Sequence, residues 1–157
     1  MDVLRDVLDP EVPALSIVDL GIVRDVEIDG DHVTVVITPT YSGCPAMKVI
    51  EDDIRSALSA RGYDDVSTRT VYAPAWTSDW LSDDARERLR AYGIAPPGRA
   101  SAATTELVPL TRRAVPVTCP FCGSTNTRHT SEFGSTSCKA LHVCSDCTQP
   151  FEEFKAI

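Results

Sequence analysis

The chain has 157 residues, of which 43% are hydrophobic and 24% are charged, and its formal net charge is −8. A chain of this length can bury one hydrophobic core, with room for a small second module. The acidic excess lies in residues 1–92, whose net charge is −9. This part therefore offers no basic surface to a phosphate backbone, and we expect no nucleic-acid partner.

The start of the chain lacks the apolar core of a signal peptide, and no apolar run reaches the roughly 18–20 residues that cross a bilayer. Six cysteines without a secretory signal indicate a reducing compartment, where cysteines bind metals or react rather than form disulfides. The sequence predicts a cytoplasmic protein with no membrane partner.

Residues 2–8 are predicted to form a short amphipathic helix that ends before Pro10, because the residue before a proline avoids helical geometry. The turn that follows carries two carboxylates, Asp9 and Glu11. In one interpretation Asp9 caps or braces this turn. In the other, Asp9 or Glu11 lies near Cys44 and joins its hydrogen bonding or metal binding. Sequence separation leaves both open.

Alternating apolar residues predict a strand that begins at Ile22, a hairpin at residues 29–31 and a return strand at residues 32–38. His32 lies at the turn and is expected to be solvated. A three- and four-residue apolar spacing predicts a helix at residues 45–61, and residues 66–72 are predicted as a third strand. The order α-β-β-α-β predicts an α+β domain with helices on one face of a mixed sheet.

Cys44 lies where the second strand turns into the long helix. Pro45 suits the first helical position, so Cys44 is predicted at the helix N-cap. There the unpaired backbone N–H groups and the helix dipole stabilise a thiolate, which makes the cysteine nucleophilic or metal-seeking. The alternative is that Cys44 is a small buried apolar residue, as most cysteines outside disulfides are.

Trp76 and Trp80 follow the third strand, where they either form a recognition surface or close the end of the core. Ser82 is predicted to cap a helix at residues 83–92. Residues 93–116 contain several prolines and no sustained apolar period, which predicts a linker. The predicted organisation is a domain at 1–92, this linker, and a β-rich module at 117–157.

Two CxxC motifs, separated by 21 residues, provide the most specific signal of the chain: Cys119, Cys122, Cys144 and Cys147. Each motif presents two thiolates from one tight turn, and the two together complete a tetrahedral site that predicts a zinc ribbon. An iron–sulfur centre in the same thiolates is the alternative.

The remaining cysteine of this module, Cys138, is either an inert hairpin residue or a second reactive thiol whose pKa the neighbouring Lys139 lowers. His129 and His142 lack the spacing of metal ligands and are expected to be bystanders.

Three segments, at residues 9–13, 18–23 and 38–45, together resemble the small domain of iron–sulfur assembly factors such as SufT. With residues 75–80, 93–97 and the ribbon around residues 133–136, nearly the whole chain is similar to the PaaD family, accessory proteins of bacterial phenylacetate degradation. The resemblance implies a maturation factor rather than an enzyme. It implies a role with the monooxygenase that epoxidises phenylacetyl-CoA, in which the 2Fe–2S cluster of the reductase is inserted or repaired.

Carried onto this sequence, the resemblance implies that Cys44 transiently holds iron or a cluster, with Asp9 or Glu11 nearby. One thiolate leaves most of the coordination of a cluster unfilled, so a second copy of the chain or a partner is expected to supply the rest. The implied partners are the reductase and oxygenase subunits and the upstream iron–sulfur assembly machinery.

Two other functions compete with delivery. In the first, the protein is a non-catalytic docking component of the monooxygenase, which binds through its ribbon and tryptophan segment. In the second, Cys44 is the nucleophile of an enzyme, but the three histidines lie in a turn and in the ribbon, so the sequence suggests no general base.

Overall fold

A computed structural model describes residues 1–41, 43–98 and 116–157. The described chain forms two compact units, Met1–Arg88 and Leu89–Ile157. Its helices and strands, in chain order, are α1 Asp2–Arg5, β1 Val23–Asp29, β2 His32–Ile37, α2 Met47–Ser59, β3 Asp65–Thr70, α3 Asp83–Tyr92, β4 Ile94–Ala95, β5 Thr127–Ser131, β6 Lys139–Cys144 and β7 Pro150–Phe154. The predicted order α-β-β-α-β and the α+β class are confirmed.

The first unit contains a mixed three-stranded sheet in the order β1-β2-β3. β1 and β2 form the predicted antiparallel hairpin, whereas β2 and β3 run parallel because α2 connects them. One face of β2 is apolar, with Val33, Val35 and Ile37 each 2% exposed or less. α2 packs on this face through its buried side chains Ile50, Ile54 and Leu58.

The helices predicted at residues 2–8 and 45–61 are both longer than α1 and α2 of the structure. α1 ends at Arg5 rather than at residue 8, because the chain then forms a β-bridge between Leu8 and Ser16. α2 begins at Met47 and its N-cap is Ala46, so the prediction that Cys44 is the N-cap is wrong. Gly43 adopts a left-handed φ of 85°, and the Cys44 N–H bonds the Tyr41 carbonyl in a separate turn before the helix.

The loop before β1 is held by its own polar groups. Burial raises the pKa of Asp19, but hydrogen bonds from Ser16 and Arg88 and the charge of Arg88 outweigh burial and leave the pKa below its usual value. Trp76 closes this part of the core: it is 5% exposed, and its indole N–H donates to the Leu20 carbonyl at 2.7 Å. For Trp76 the core-closing interpretation is therefore confirmed.

Trp80 is half-buried, meets Trp76 edge to face, and carries the Arg24 guanidinium 3.9 Å from its ring centroid. The predicted cap of α3 is confirmed, since the Ser82 hydroxyl accepts a hydrogen bond from the Ala85 N–H at 3.1 Å.

The second unit contains a four-stranded sheet in the order β4-β7-β6-β5. β5, β6 and β7 are antiparallel neighbours, as expected of a β-rich ribbon, and β4 pairs parallel with β7. Its small buried cluster consists of Ala95, Phe151 and two of the CxxC cysteines, Cys119 and Cys144.

β4 lies within the stretch predicted as a linker, residues 93–116, so its first residues belong to a sheet instead. A strand of two residues is too short to show an alternating pattern, and only its pairing with β7 defines it. Most of the predicted linker, residues 99–115, lies outside the described residues. The division of the chain at residues 92 and 116 stays a prediction.

Within the described parts of the chain, every helix is too short or too polar to cross a membrane.

Candidate metal and cluster sites

The two CxxC motifs meet in the second unit. The sulfur atoms of Cys119, Cys122, Cys144 and Cys147 all lie within 4.8 Å of one another. The Cys119–Cys147 and Cys122–Cys144 sulfur pairs are 3.7 and 3.6 Å apart. A tetrahedron with metal–sulfur bonds of about 2.3 Å has edges of about 3.8 Å, so the four sulfurs fit a four-coordinate zinc-type site.

Backbone hydrogen bonds and contacts among the four thiols shift the pKa values of these cysteines. The backbone N–H of Cys147 lowers the pKa of Cys144 to about 7. The backbone N–H of Ser124 also lowers the pKa of Cys122, but hydrogen bonds with the neighbouring thiols, together with burial, outweigh it and raise that pKa to about 12. Four thiolates cannot coexist at this spacing without a cation, so metal binding must displace protons.

The histidines of the ribbon do not join this set. His142 is 5% exposed, its Nε2 atom is 2.9 Å from the Glu153 carboxylate, and its ring stacks on Phe151. The His129 ring meets the His142 ring edge to face. Among the described residues, the four cysteines form the one group of three or more thiol, imidazole or carboxylate ligands that is close enough to hold a metal.

Cys138 is 3% exposed, and its sulfur lies 3.0 Å from the Thr136 hydroxyl. Lys139, expected to activate this thiol, instead forms an ion pair with Glu152 at 3.0 Å, in which the lysine side chain is 5% exposed. Burial of Cys138 and this engagement of Lys139 favour the inert interpretation.

Cys44 lies in the first unit, half-buried at the turn before α2. Burial raises the pKa of its thiol, and the negative charges of Glu11 and Asp9 raise it further. The backbone N–H of Ala46 and the Tyr41 side chain donate hydrogen bonds that lower the pKa, but not enough to reverse the shift. These shifts disfavour the interpretation in which Cys44 is a stabilised thiolate, because the buried, acidic surroundings of the thiol outweigh the nearby backbone N–H group.

Asp9 both braces its turn and acts on Cys44, so it has features of each interpretation that the sequence left open. Its Oδ1 atom accepts hydrogen bonds from the backbone N–H groups of Glu11 and Val12 at 2.9 and 2.8 Å, which braces the turn. Its charge also acts on Cys44, together with that of Glu11. The structure thus brings all three residues into one acidic, sulfur-bearing corner, which we call the Cys44 corner.

Tyr41 and the Ala46 N–H, which also belong to this corner, were missed at the sequence level. Their contact with the sulfur depends on how the turn at residues 41–46 folds. The periodic pattern of β2 and α2 carries no information about that turn.

Comparison with known proteins assigns both units. The family described as an iron–sulfur cluster assembly protein matches residues 1–67, and the PaaD zinc beta ribbon domain matches residues 103–155. A crystallised domain from Bacillus anthracis, described as DUF59, a domain of unknown function, is 31% identical with a TM-score of 0.52. That match covers 56% of this chain and 85% of that domain.

Two relatives extend the comparison. An Fe-S protein maturation auxiliary factor of Bacillus subtilis (strain 168) is 38% identical over 91 residues, which is 57% of this chain and 88% of that factor. A protein of Escherichia coli (strain K12), named as a candidate component of 1,2-phenylacetyl-CoA epoxidase, is 47% identical over 154 residues. That match covers 98% of this chain and 89% of the E. coli protein. With both domain matches and this full-length similarity, the chain belongs to the PaaD family, in which an iron–sulfur assembly domain precedes a zinc-ribbon domain.

Proposed function

We propose that the protein assembles or delivers iron–sulfur clusters for the phenylacetyl-CoA epoxidase system, with the 2Fe–2S cluster of the reductase as the destination. The observation that carries this proposal is the Cys44 corner, a half-buried thiol under the charge of Asp9 and Glu11 within the matched assembly domain. The relative that is named as a maturation auxiliary factor supports a carrier rather than an enzyme.

The electrostatics of the corner suit a cationic cargo. The negative charges of Asp9 and Glu11 disfavour a Cys44 thiolate in the absence of metal, but the same charges attract an iron cation. When iron binds, it displaces the thiol proton, and its positive charge then stabilises the thiolate. Without cargo the thiol stays protonated and half-buried, which protects it from oxidation. Cys44 is thus a metal ligand when iron is bound and an unreactive thiol when iron is absent.

Cys44 alone gives a cluster one sulfur ligand, and the remaining coordination must come from elsewhere. We propose that a second copy of the chain or the upstream assembly machinery supplies it, and that transfer to the reductase follows ligand exchange. All six cysteines are outside disulfides, which suits the reducing cytoplasm, where we place the protein.

The ribbon supports a second, compatible role. We assign structural zinc to its four thiolates, because their spacing fits a closed four-coordinate site. Phe121 and Phe133 are 56% and 64% exposed on this unit. Exposed aromatic side chains are enriched in interfaces, which favours docking of the ribbon to the reductase or oxygenase components.

Cluster transfer tests the proposal. Protein reconstituted anaerobically is mixed with reductase lacking its 2Fe–2S cluster, and cluster content is followed by electron paramagnetic resonance and reductase activity. We expect transfer from the native protein and from Cys138→Ala, which removes a buried thiol outside both sites, and none from Cys44→Ala. Equal transfer from Cys44→Ala would refute delivery through Cys44, and the docking role would then stand alone.

A further inference from the structure

A chain of polar side chains crosses β2 and β3 on the sheet face opposite α2. The parallel register pairs His32 with Asp65 and Thr34 with Ser67. Arg55 of α2 donates to the Thr68 hydroxyl at 3.1 Å, so Thr68 is on the face that α2 covers. Successive side chains of a strand point to opposite faces, and Ser67 therefore lies on the other face of the sheet. His32 and Asp65 have 40% and 70% of their side chains exposed and Ser67 is half-buried, so reagents can reach this end of the face.

The contacts follow one order: carboxylate, imidazole, hydroxyl. The Asp65 Oδ1 atom is 2.9 Å from His32 Nδ1, and His32 Nε2 is 3.0 Å from Ser67 Oγ. Ser67 Oγ is also 3.1 Å from Thr34 Oγ1. The sequence did not suggest a general base because His32 and Ser67 are 35 residues apart, and only the parallel pairing of β2 and β3 brings them together.

The directions of these hydrogen bonds follow from the donors available. An ionised Asp65 only accepts, so neutral His32 donates from Nδ1 and carries its lone pair on Nε2. The Ser67 hydroxyl must then donate to Nε2. Since that uses its one proton, the Thr34 hydroxyl donates to Ser67 Oγ. The serine proton is thus directed at a base whose tautomer the carboxylate fixes, the arrangement that activates a hydroxyl for nucleophilic attack.

We propose that Ser67 is an acyl-acceptor site that takes acyl groups from activated thioesters, with His32 as general base and Asp65 as its positioning residue. This inference is independent of cluster delivery.

Ser67 Oγ attacks the thioester carbonyl as its proton passes to His32 Nε2. The new bond joins Oγ to the acyl carbon and the carbon–sulfur bond breaks. The leaving thiolate then takes the proton from His32, so that a serine ester and a free thiol are formed. The Thr34 hydroxyl, which donates to Oγ, helps to hold the Ser67 hydroxyl in the orientation that directs its proton at His32.

A thioester is the expected class of donor because a thiolate leaves without prior protonation, whereas an amide needs stronger activation of its leaving group. On an open sheet face the serine ester is a modification of the protein, formed once per chain rather than in repeated turnover.

Ser59 provides a matched control within the same unit. Its hydroxyl bonds the Asp64 carboxylate at 3.1 Å, so its hydrogen-bond partner is an acid rather than an imidazole. The intact protein is treated with S-phenyl thioacetate, cysteine adducts are removed with neutral hydroxylamine, and acetyl esters are located by peptide mass spectrometry. The ratio of acetylation at Ser67 to that at Ser59 is measured in the same molecules, without any substitution.

We expect Ser67 to be acetylated roughly 100-fold faster than Ser59, and His32→Gln to lower the Ser67 rate by a similar factor, which is the usual contribution of a general base. Asp65→Asn, at an exposed position, should slow Ser67 roughly tenfold by loosening control of the imidazole tautomer, without changing the circular dichroism spectrum. Ser59→Ala should leave the Ser67 rate unchanged. Equal acetylation of the two serines in the native protein, or a Ser67 rate that is insensitive to Asp65→Asn, would overturn the proposal.

Discussion

The substitutions Cys122→Ser and Cys138→Ala separate metal ligation from packing within the ribbon. Cys122 is exposed and Cys138 is 3% exposed, so packing alone predicts that Cys138→Ala is the more damaging change. Loss of a small buried thiol costs about 1 kcal/mol of folding free energy. Zinc bound by four thiolates contributes about 10–16 kcal/mol of folding free energy. One ligand accounts for roughly a quarter of this, so its loss costs about 3 kcal/mol.

A loss of about 3 kcal/mol corresponds to roughly 100-fold weaker zinc binding. The assay is competition for zinc with a chromophoric chelator at pH 7, with thermal unfolding of each loaded variant in parallel. We expect Cys122→Ser to lose about two orders of magnitude in zinc affinity, while Cys138→Ala keeps the native affinity and unfolds at a slightly lower temperature. Native zinc affinity in Cys122→Ser, or an equal loss in Cys138→Ala, would refute the four-cysteine site.

Three further predictions concern the first unit and are checked by urea unfolding of the zinc-loaded protein. Trp76→Phe removes the indole N–H bonded to the Leu20 carbonyl and should cost about 1–3 kcal/mol, because a buried acceptor is left unsatisfied; an unchanged midpoint would contradict this. Ile54→Ala, at 0% exposure, should cost about 2–5 kcal/mol, against less than about 0.5 kcal/mol for Val49→Ala, which is 47% exposed on the same helix. The pKa of Asp19 is held below its usual 3.8, so its stabilisation is complete above that pH and is lost as the pH falls through the folded-state pKa. Asp19→Asn should flatten the acid limb of the stability profile, and an unaltered limb would exclude Asp19 as its source.

The regular part of the fold follows from local sequence. Alternation along β1 and β2 and the helical spacing of Ile50, Ile54 and Leu58 are each contained in a short stretch of chain, and each of these elements forms within two residues of its predicted bounds. The CxxC spacing likewise confines four thiols to two tight turns, so their convergence was predictable without knowledge of the sheet.

The features that the sequence missed depend on contacts between distant segments. β4 exists because β7, more than fifty residues later, lies beside it. His32 was expected to be solvated at its turn, but the parallel pairing with β3 places Asp65 and Ser67 on its two ring nitrogens. The Cys44 pKa rises because the fold buries the thiol and brings Asp9 and Glu11 to it, whereas a prediction from the helix end considers the adjacent backbone alone.

The central claim is that Cys44 holds the iron–sulfur cargo and the ribbon holds zinc. The most direct test is the iron, acid-labile sulfide and zinc content of the native protein, Cys44→Ala and Cys138→Ala after anaerobic reconstitution with ferrous iron and sulfide. Our account predicts zinc near one per chain in all three proteins, with iron and sulfide lost in Cys44→Ala and retained in Cys138→Ala. Iron and sulfide that persist without Cys44, at the expense of zinc, would place the cluster on the ribbon cysteines and contradict the account.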